Sequence, residues 1–265
     1  MRLEGKTAIV IGAGQGPGTG MGNGRATVLR FAQEGAKVMA VDRDLASAGE
    51  TVSLAGPGTD CFAFEADVTR EASLAAAIAA ARARWGRIDI LHYNVGVSIA
   101  GGDASPTEIT EEAFDRVTAI NLRGAVMACK HVIPIMREQR SGCILMISSL
   151  AAVEKYPLVA YKATKAAMIA YTEQVAIQNA EYGVRANVIL PGLMDTPMAV
   201  DTRARATGKS RAEVAAARDL RVPLRHKMGT AWDVANAALF LASDEAAFIT
   251  GVSLLVDGGG ALNTG

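Results

Sequence analysis

Apolar runs of about five residues, rich in valine and isoleucine, alternate along the chain with longer alanine-rich stretches of helical spacing. The runs TAIVI from Thr7, KVMAV from Lys37, CFAFE from Cys61, IDILHYN from Ile88, CILMIS from Cys143, RANVIL from Arg185 and SLLV from Ser253 each predict a buried strand. Helical spacing predicts helices at Gly24–Glu34, Glu71–Trp85, Glu112–Gln139, Tyr161–Tyr182 and Ala231–Ser243. No strand is followed by a hairpin turn, so crossovers must join them. Right-handed crossovers in this order give an α/β fold, a doubly wound parallel sheet of about seven strands with helices on both faces. A ligand then belongs beyond the carboxyl ends of the strands. With no repeat and no linker, residues 1–265 read as a single domain. The long irregular segment at 194–228, after RANVIL, is a candidate substrate-binding lid.

Charge narrows the partners. Lys and Arg number 27 against 27 Asp and Glu, so no global field draws the protein to nucleic acid or to an anionic membrane, and a small molecule is the expected partner. Cys61, Cys129 and Cys143 sit among apolar residues, as reduced thiols do in a core. His92, His131 and His226 lack zinc-site spacing, so no metal is expected at the active centre. The N-terminal apolar run is too short for a signal-peptide core and nowhere do eighteen apolar residues run unbroken, which predicts a soluble, cytoplasmic protein.

Glycine occupies every second position from Gly12 to Gly24. Such a segment elsewhere could be a flexible linker, but this one leaves a buried strand at Ile11 and enters a helix near Arg25. That is the first βα turn of a dinucleotide fold, where bare backbone lets a pyrophosphate meet N–H groups at a helix N-terminus. Strict alternation fits several glycine spacings at once and leaves the register open. The companion feature is an acid at the tip of the next strand, and VMAVDRD supplies Asp42. Its carboxylate accepts from ribose hydroxyls and repels a 2′-phosphate, favouring NAD over NADP; Arg43 weakens that preference without reversing it.

YKATK sets Tyr161 and Lys165 four apart on one helix face, where an ammonium can lower the pKa of a phenol and let it shuttle a proton. CILMISS ends in Ser148 and Ser149 at the carboxyl edge of the sheet, where a hydroxyl can hold a carbonyl oxygen against that phenol.

With these residues in place the chain resembles the short-chain dehydrogenase/reductase family over nearly its whole length. The matching motifs run in order through the glycine loop, Asp42, DV at Asp67–Val68, YNVG at Tyr93–Gly96, NLRG at Asn121–Gly124, ISS, YKATK, PGLMDT at Pro191–Thr196 and LLVDGG near the end. The resemblance implies a Rossmann-like NAD(P)-binding domain with Tyr161 as general acid/base, Lys165 lowering its pKa and bonding the nicotinamide ribose, and Ser149 orienting the substrate carbonyl. Asn121 would hold a water of the proton relay. Gly12, Gly22 and Gly24 would be the family glycines, Asp67 and Val68 would flank the adenine, and Asn94 and Gly96 would line the cofactor. Pro191 and Gly192 would do so from the sixth strand's end, with Thr196 at the nicotinamide amide. The resemblance also implies a homotetramer built through the helices at Glu112 and Tyr161 and the C-terminal strand.

The pattern departs from the family's in four places. The glycine loop carries extra residues between Gly12 and Gly22, Ile11 replaces a threonine, Tyr93 replaces the first asparagine of NNAG, and the segment from Ser149 to Tyr161 is one residue short. Counting back from Tyr161 selects Ser148, whereas the strand register and the distance from Asn121 select Ser149, which is preferred. The expected reaction is reversible NAD-dependent oxidation of a secondary alcohol to a ketone. An NADP-dependent carbonyl reductase, or a non-catalytic dinucleotide sensor or scaffold, are the alternatives. The lid is rich in basic residues, Arg203, Arg205, Lys209, Arg211, Arg218 and Arg221, which suits either an anionic substrate or, as favoured here, a solvated amphipathic helix. Met194 and Met198 at its start could wall the pocket, with core packing the simpler role.

Overall fold

The computed structural model describes residues 1–262. Its strands are β1 (Thr7–Ile11), β2 (Lys37–Asp42), β3 (Cys61–Glu65), β4 (Ile90–Tyr93), β5 (Gly142–Ile147), β6 (Val184–Pro191) and β7 (Ser253–Val256). They form one seven-stranded sheet in the order β3-β2-β1-β4-β5-β6-β7, with every neighbouring pair parallel. The order turns back on itself between β1 and β4, and that switch point opens a crevice at the strand tips. The domain is Rossmann-like, as expected.

The helices are α1 (Asn23–Gln33), α2 (Leu45–Ala55), α3 (Glu71–Trp85), α4 (Glu111–Thr118), α5 (Gly124–Gln139), α6 (Val159–Asn179), α7 (Thr202–Thr207), α8 (Arg211–Asp219) and α9 (Ala231–Ala242). Alternate residues of the strands feed two cores. Ile9, Ile11, Leu91 and Ile144 pack with α3, α5 and α6 through Ile78, Val132 and Met168 on one face. Ala8, Val10, Ile90 and Leu145 pack with α1 and α9 through Val28, Phe31, Val234 and Leu241 on the other. Burial on both faces is why the strands read as unbroken apolar runs.

Three expectations need correction. Helix α2 was not foreseen, because the side chains it buries are Ser47, Ala48 and Thr51, which leave no apolar stripe to read. The single helix expected at Glu112–Gln139 is interrupted by a π-helical turn at Ala119–Arg123. Residues 194–228 are not irregular. Thr196 caps a π-helical turn at Pro197–Asp201 that leads into α7, and a reciprocal Ser210–Glu213 capping box starts α8.

Cys129 and Cys143 are buried thiols whose pKa burial raises, to about 12 and about 11. Among the described residues no helix is long and apolar enough to cross a membrane, and no three His, Cys, Asp or Glu side chains converge as metal ligands.

His92 on β4 is fully buried, edge-on to Phe31 at 6.1 Å between ring centroids, and neither ring nitrogen finds a partner. Burial depresses its pKa from 6.5 to about 3. Between those values the unfolded chain binds the proton and the folded chain does not, so stability falls as pH drops through the window. Urea midpoints measured from about pH 7 to pH 4 are expected to lose up to about 1.4 kcal/mol per pH unit from this group. His92→Leu is expected to flatten that acid limb.

Candidate active site

The glycine loop leaves β1 through Gly12, whose φ of 84° is accessible to glycine at little cost. Helix α1 then crosses so close over it that a Cβ on Gly24 would stand 1.9 Å from the Gly12 carbonyl oxygen. Asn94 Nδ2 donates to that same carbonyl at 3.0 Å, and Asn94 N bonds Ile11 O at 2.9 Å. Asn94 and backbone thus brace the loop where Ile11 and Tyr93 replace the family's threonine and asparagine. Gly22 caps α1 without a side-chain acceptor, and its N–H reaches Gln15 Oε1 at 2.7 Å. A Cβ on Gly16 would meet nothing within 4 Å. A bare helix N-terminus beside open backbone is the cradle a pyrophosphate needs, so the residues present fit a dinucleotide.

Asp42 ends β2 with Oδ2 accepting from Gly14 N at 2.9 Å and Oδ1 from Asp44 N at 3.1 Å. Asp67 accepts from Thr69 N and Oγ1 at 2.9 and 2.7 Å, bonds that hold its carboxyl below the usual range. Val68 lies against the start of α5, where a Cβ on Gly124 would come within 3.0 Å of it. The inserted part of the glycine loop docks on the segment that follows β6: Thr19 N donates to Asp201 Oδ1 at 3.2 Å and Arg205 Nη1 to Pro17 O at 3.3 Å. A Cβ on Gly18 would meet the Asp201 carboxyl carbon at 2.6 Å.

On the other side of the crevice the structure brings Asn121, Ser149, Tyr161 and Lys165 together. Lys165 is buried, with Nζ donating to Ile147 O at 2.6 Å and Val95 O at 3.4 Å, and it lies 5.8 Å from the centroid of the Tyr161 ring. A Cβ on Gly96 would lie 3.1 Å from Lys165 Nζ, so a side chain there would crowd that ammonium. Asn121 sits in the π-helical turn, a distortion common at functional sites. Its amide is spent on the backbone of Val97, at 2.8 and 3.0 Å, and on Thr164 Oγ1 at 3.1 Å. The Tyr93 hydroxyl donates to Ile120 O at 2.7 Å and steadies the same turn.

The two serines have different surroundings. Ser148 is buried and donates to Lys165 O at 2.7 Å, tying α6 to β5. Ser149 Oγ accepts from Ala151 N at 3.2 Å, and its hydroxyl acts to lower the pKa of the Tyr161 phenol. Burial raises Tyr161 to about 12, outweighing the opposing effects of Ser149 and Arg203. It also lowers Lys165 to about 7. The expected depression of the phenol by Lys165 is therefore not met in this arrangement, because the ammonium is itself desolvated and turned to two carbonyls.

Beyond β6, Gly192 is pressed against Asp257, whose Cα a Cβ would meet at 2.7 Å. Pro191 closes the strand, and buried Thr196 spends its hydroxyl on Ala199 N at 3.3 Å. Met194 is core, whereas Met198 is 46 % exposed.

Sequence reasoning missed Asp103. Its buried carboxylate accepts from Ala160 N and Tyr161 N, both at 2.9 Å, and so anchors the first turn of α6. No local spacing could reveal a cap supplied from a distant loop. Lys162 was missed as well. Its ammonium donates to the carbonyls of Ala151, Ala152 and Glu154, at 3.2, 3.3 and 2.5 Å, and pins the turn that follows Ser149.

A family model described as enoyl-(acyl carrier protein) reductase matches residues 18–261. The oxidoreductase UcpA of Escherichia coli (strain K12) is 35% identical over 263 residues, covering 98% of this chain and 96% of that protein. Levodione reductase of Leifsonia aquatica is 34% identical over 247 residues, 91% of each chain. A crystal structure from Burkholderia xenovorans, provisionally described as a short-chain dehydrogenase/reductase, superposes with a TM-score of 0.89 at 42% identity, covering 100% of this chain and 99% of that one.

Removing the Asp103 carboxylate leaves two helix N–H groups buried and unpaired. Asp103→Ala is expected to cost about 2 kcal/mol, read as a lowered urea midpoint, with Asp103→Asn losing less.

Proposed function

Because the chain belongs to the short-chain dehydrogenase/reductase family, we propose that it interconverts a secondary alcohol and a ketone with NAD as hydride carrier. The observation that carries this reading is the convergence of Tyr161, Ser149 and Lys165 beside a glycine cradle fitted to a dinucleotide. A bound nicotinamide would accept or return hydride at C4.

In the oxidation, the carbinol C–H bond breaks with its electron pair leaving as hydride, the hydroxyl proton passes to the Tyr161 oxygen, and the C=O bond forms. Reduction reverses each step. Tyr161 is the general acid/base, and Ser149, whose hydroxyl acts on the same phenol, orients the carbonyl oxygen and stabilises charge developing there. Lys165 holds the ribose edge from beside Gly96, where a side chain would crowd it. Asn121 keeps the Val97 loop and α6 in register around them, in the place where the family relay water belongs.

Gly12, Gly22 and Gly24 form the pyrophosphate side, with Asp42 toward the ribose, Asp67 and Val68 at the adenine, and Asn94, Pro191, Gly192 and Thr196 along the remaining wall. The Asp42 carboxylate supports NAD over NADP by repelling a 2′-phosphate. Residues 194–228 serve as the substrate lid. Exposed Phe114 and Ile177 on α4 and α6 and Leu255 on β7 support assembly through those faces into a homotetramer.

Tyr161→Phe is expected to lower kcat by about 10³-fold while the NADH dissociation constant, read by fluorescence titration, stays within about threefold. Undiminished turnover would remove Tyr161 from the mechanism. A phenol raised to about 12 stays protonated through neutrality, ready to donate to a ketone. Alcohol oxidation needs the phenolate, so kcat/KM for oxidation is expected to climb from about pH 7 to pH 10 while that for reduction does not. NADH is expected to bind at least about tenfold more tightly than NADPH, and Asp42→Asn to narrow the gap.

A further inference from the structure

Helix α8 and the segment before α7 carry several carboxylates, and their own neighbours occupy them. Asp195 and Asp201 both pair with Arg211, Asp219 pairs with Lys227 at 2.6 Å, and Glu213 accepts from Ser210 N at 2.9 Å. Arg205, Lys209 and Arg221 lie exposed, as a solvated helix face requires. Arg218 departs from that pattern.

Arg218 is 8 % exposed, and its Nε donates to Met228 Sδ at 3.3 Å. Arg203, half-buried on α7, spends one nitrogen on Ala199 O at 2.8 Å. Among the described residues no carboxylate forms an ion pair with either guanidinium. Burial and the charges of Arg203 and Arg221 hold Arg218 down to about 10, against the opposing effects of Tyr156 and Asp195. Tyr156 in turn packs against Tyr161 at 5.7 Å between ring centroids, and the charge of Arg203 acts on the Tyr161 phenol. The two cations thus approach the tyrosine pair from the lid. Two guanidinium groups brought together with no carboxylate in direct ion-pair contact are held more favourably when a bound anion lies between them.

We infer that Arg203 and Arg218 form an oxyanion subsite beside Tyr161, so that the substrate is a ketone or secondary alcohol bearing a carboxylate or phosphate group. This rests on the reading of Tyr161 as the acid/base. The subsite binds the end of the substrate that does not react, and two guanidinium forks suit planar or tetrahedral oxyanions.

The test uses 2-, 3- and 4-oxo acids of four to six carbons, each beside its methyl ester, and dihydroxyacetone phosphate beside dihydroxyacetone, with NADH and NADPH as reductants. The charged member of at least one pair is expected to exceed its neutral partner about tenfold or more in kcat/KM. Arg203→Gln and Arg218→Gln are expected to collapse that ratio, and Lys209→Gln, on the exposed face, to leave it. Whether an oxo acid or the phosphate is preferred identifies the oxyanion. Neutral members turned over as well as the charged ones in every pair would overturn the subsite and leave the oxidoreductase reading standing.

A second readout is independent of turnover. Malonate and inorganic phosphate, at ionic strength matched with sodium chloride, are expected to raise the wild-type Tm by a few degrees, about 2 °C or more, and to raise it less in both arginine variants. That outcome without turnover of any pair would support the subsite and place the failure on the proposed chemistry. No rise, or a rise that both variants keep, would overturn the subsite even if other substrates were reduced.

Discussion

An ammonium buried between the tips of β4 and β5, with only carbonyl oxygens for partners, sets the terms for the whole crevice. Among the described residues no carboxylate pairs with Lys165, so the surrounding structure must hold it by geometry: Ile147 O at 2.6 Å, Val95 O at 3.4 Å, and a glycine at position 96 that does not crowd it. Desolvation brings its pKa to about 7, which makes its charge responsive near neutrality. Desolvation acts on the neighbouring phenol too, raising its pKa where it lowers that of the ammonium. A crevice that disfavours charge on both groups gives the greatest leverage to any ligand dipole or charge that enters it.

The supporting interactions come from distant parts of the chain. Asp103 grips the first turn of α6 from the loop after β4, Ser148 grips the backbone of Lys165 from β5, and Asn121 and Tyr93 hold the π-helical turn that faces them. Each uses a buried hydrogen bond that cannot be exchanged for water without cost. Precision at Tyr161 therefore depends on the sheet order, which brings β4 and β5 side by side.

Much of this was legible in the linear chain. Double-sided burial turns strands into apolar runs, so all seven could be read, and the order of the glycine loop, Asp42, ISS and YKATK located the crevice. What escaped had physical reasons. Helix α2 buries Ser47 and Thr51, which look like loop residues, while Asp103 acts across a long separation that no local pattern encodes. The Ser210–Glu213 capping box was a readable signal for α8, obscured by the run of charges around it. The burial of Arg218 was not readable, because a charged residue on an amphipathic helix points to solvent by default and only the surrounding fold reverses that.

The long glycine loop and residues 194–228 rest on one another through Asp201, Thr19, Arg205 and the close approach at Gly18. These two segments, far apart in the chain, therefore act as one exchangeable module. Grafting residues 194–228 onto a scaffold with a shorter loop would strand Asp201 and Arg205 without their counterparts. A chimera intended to transfer selectivity has to carry both pieces, and the two should drift together in length as lineages diverge.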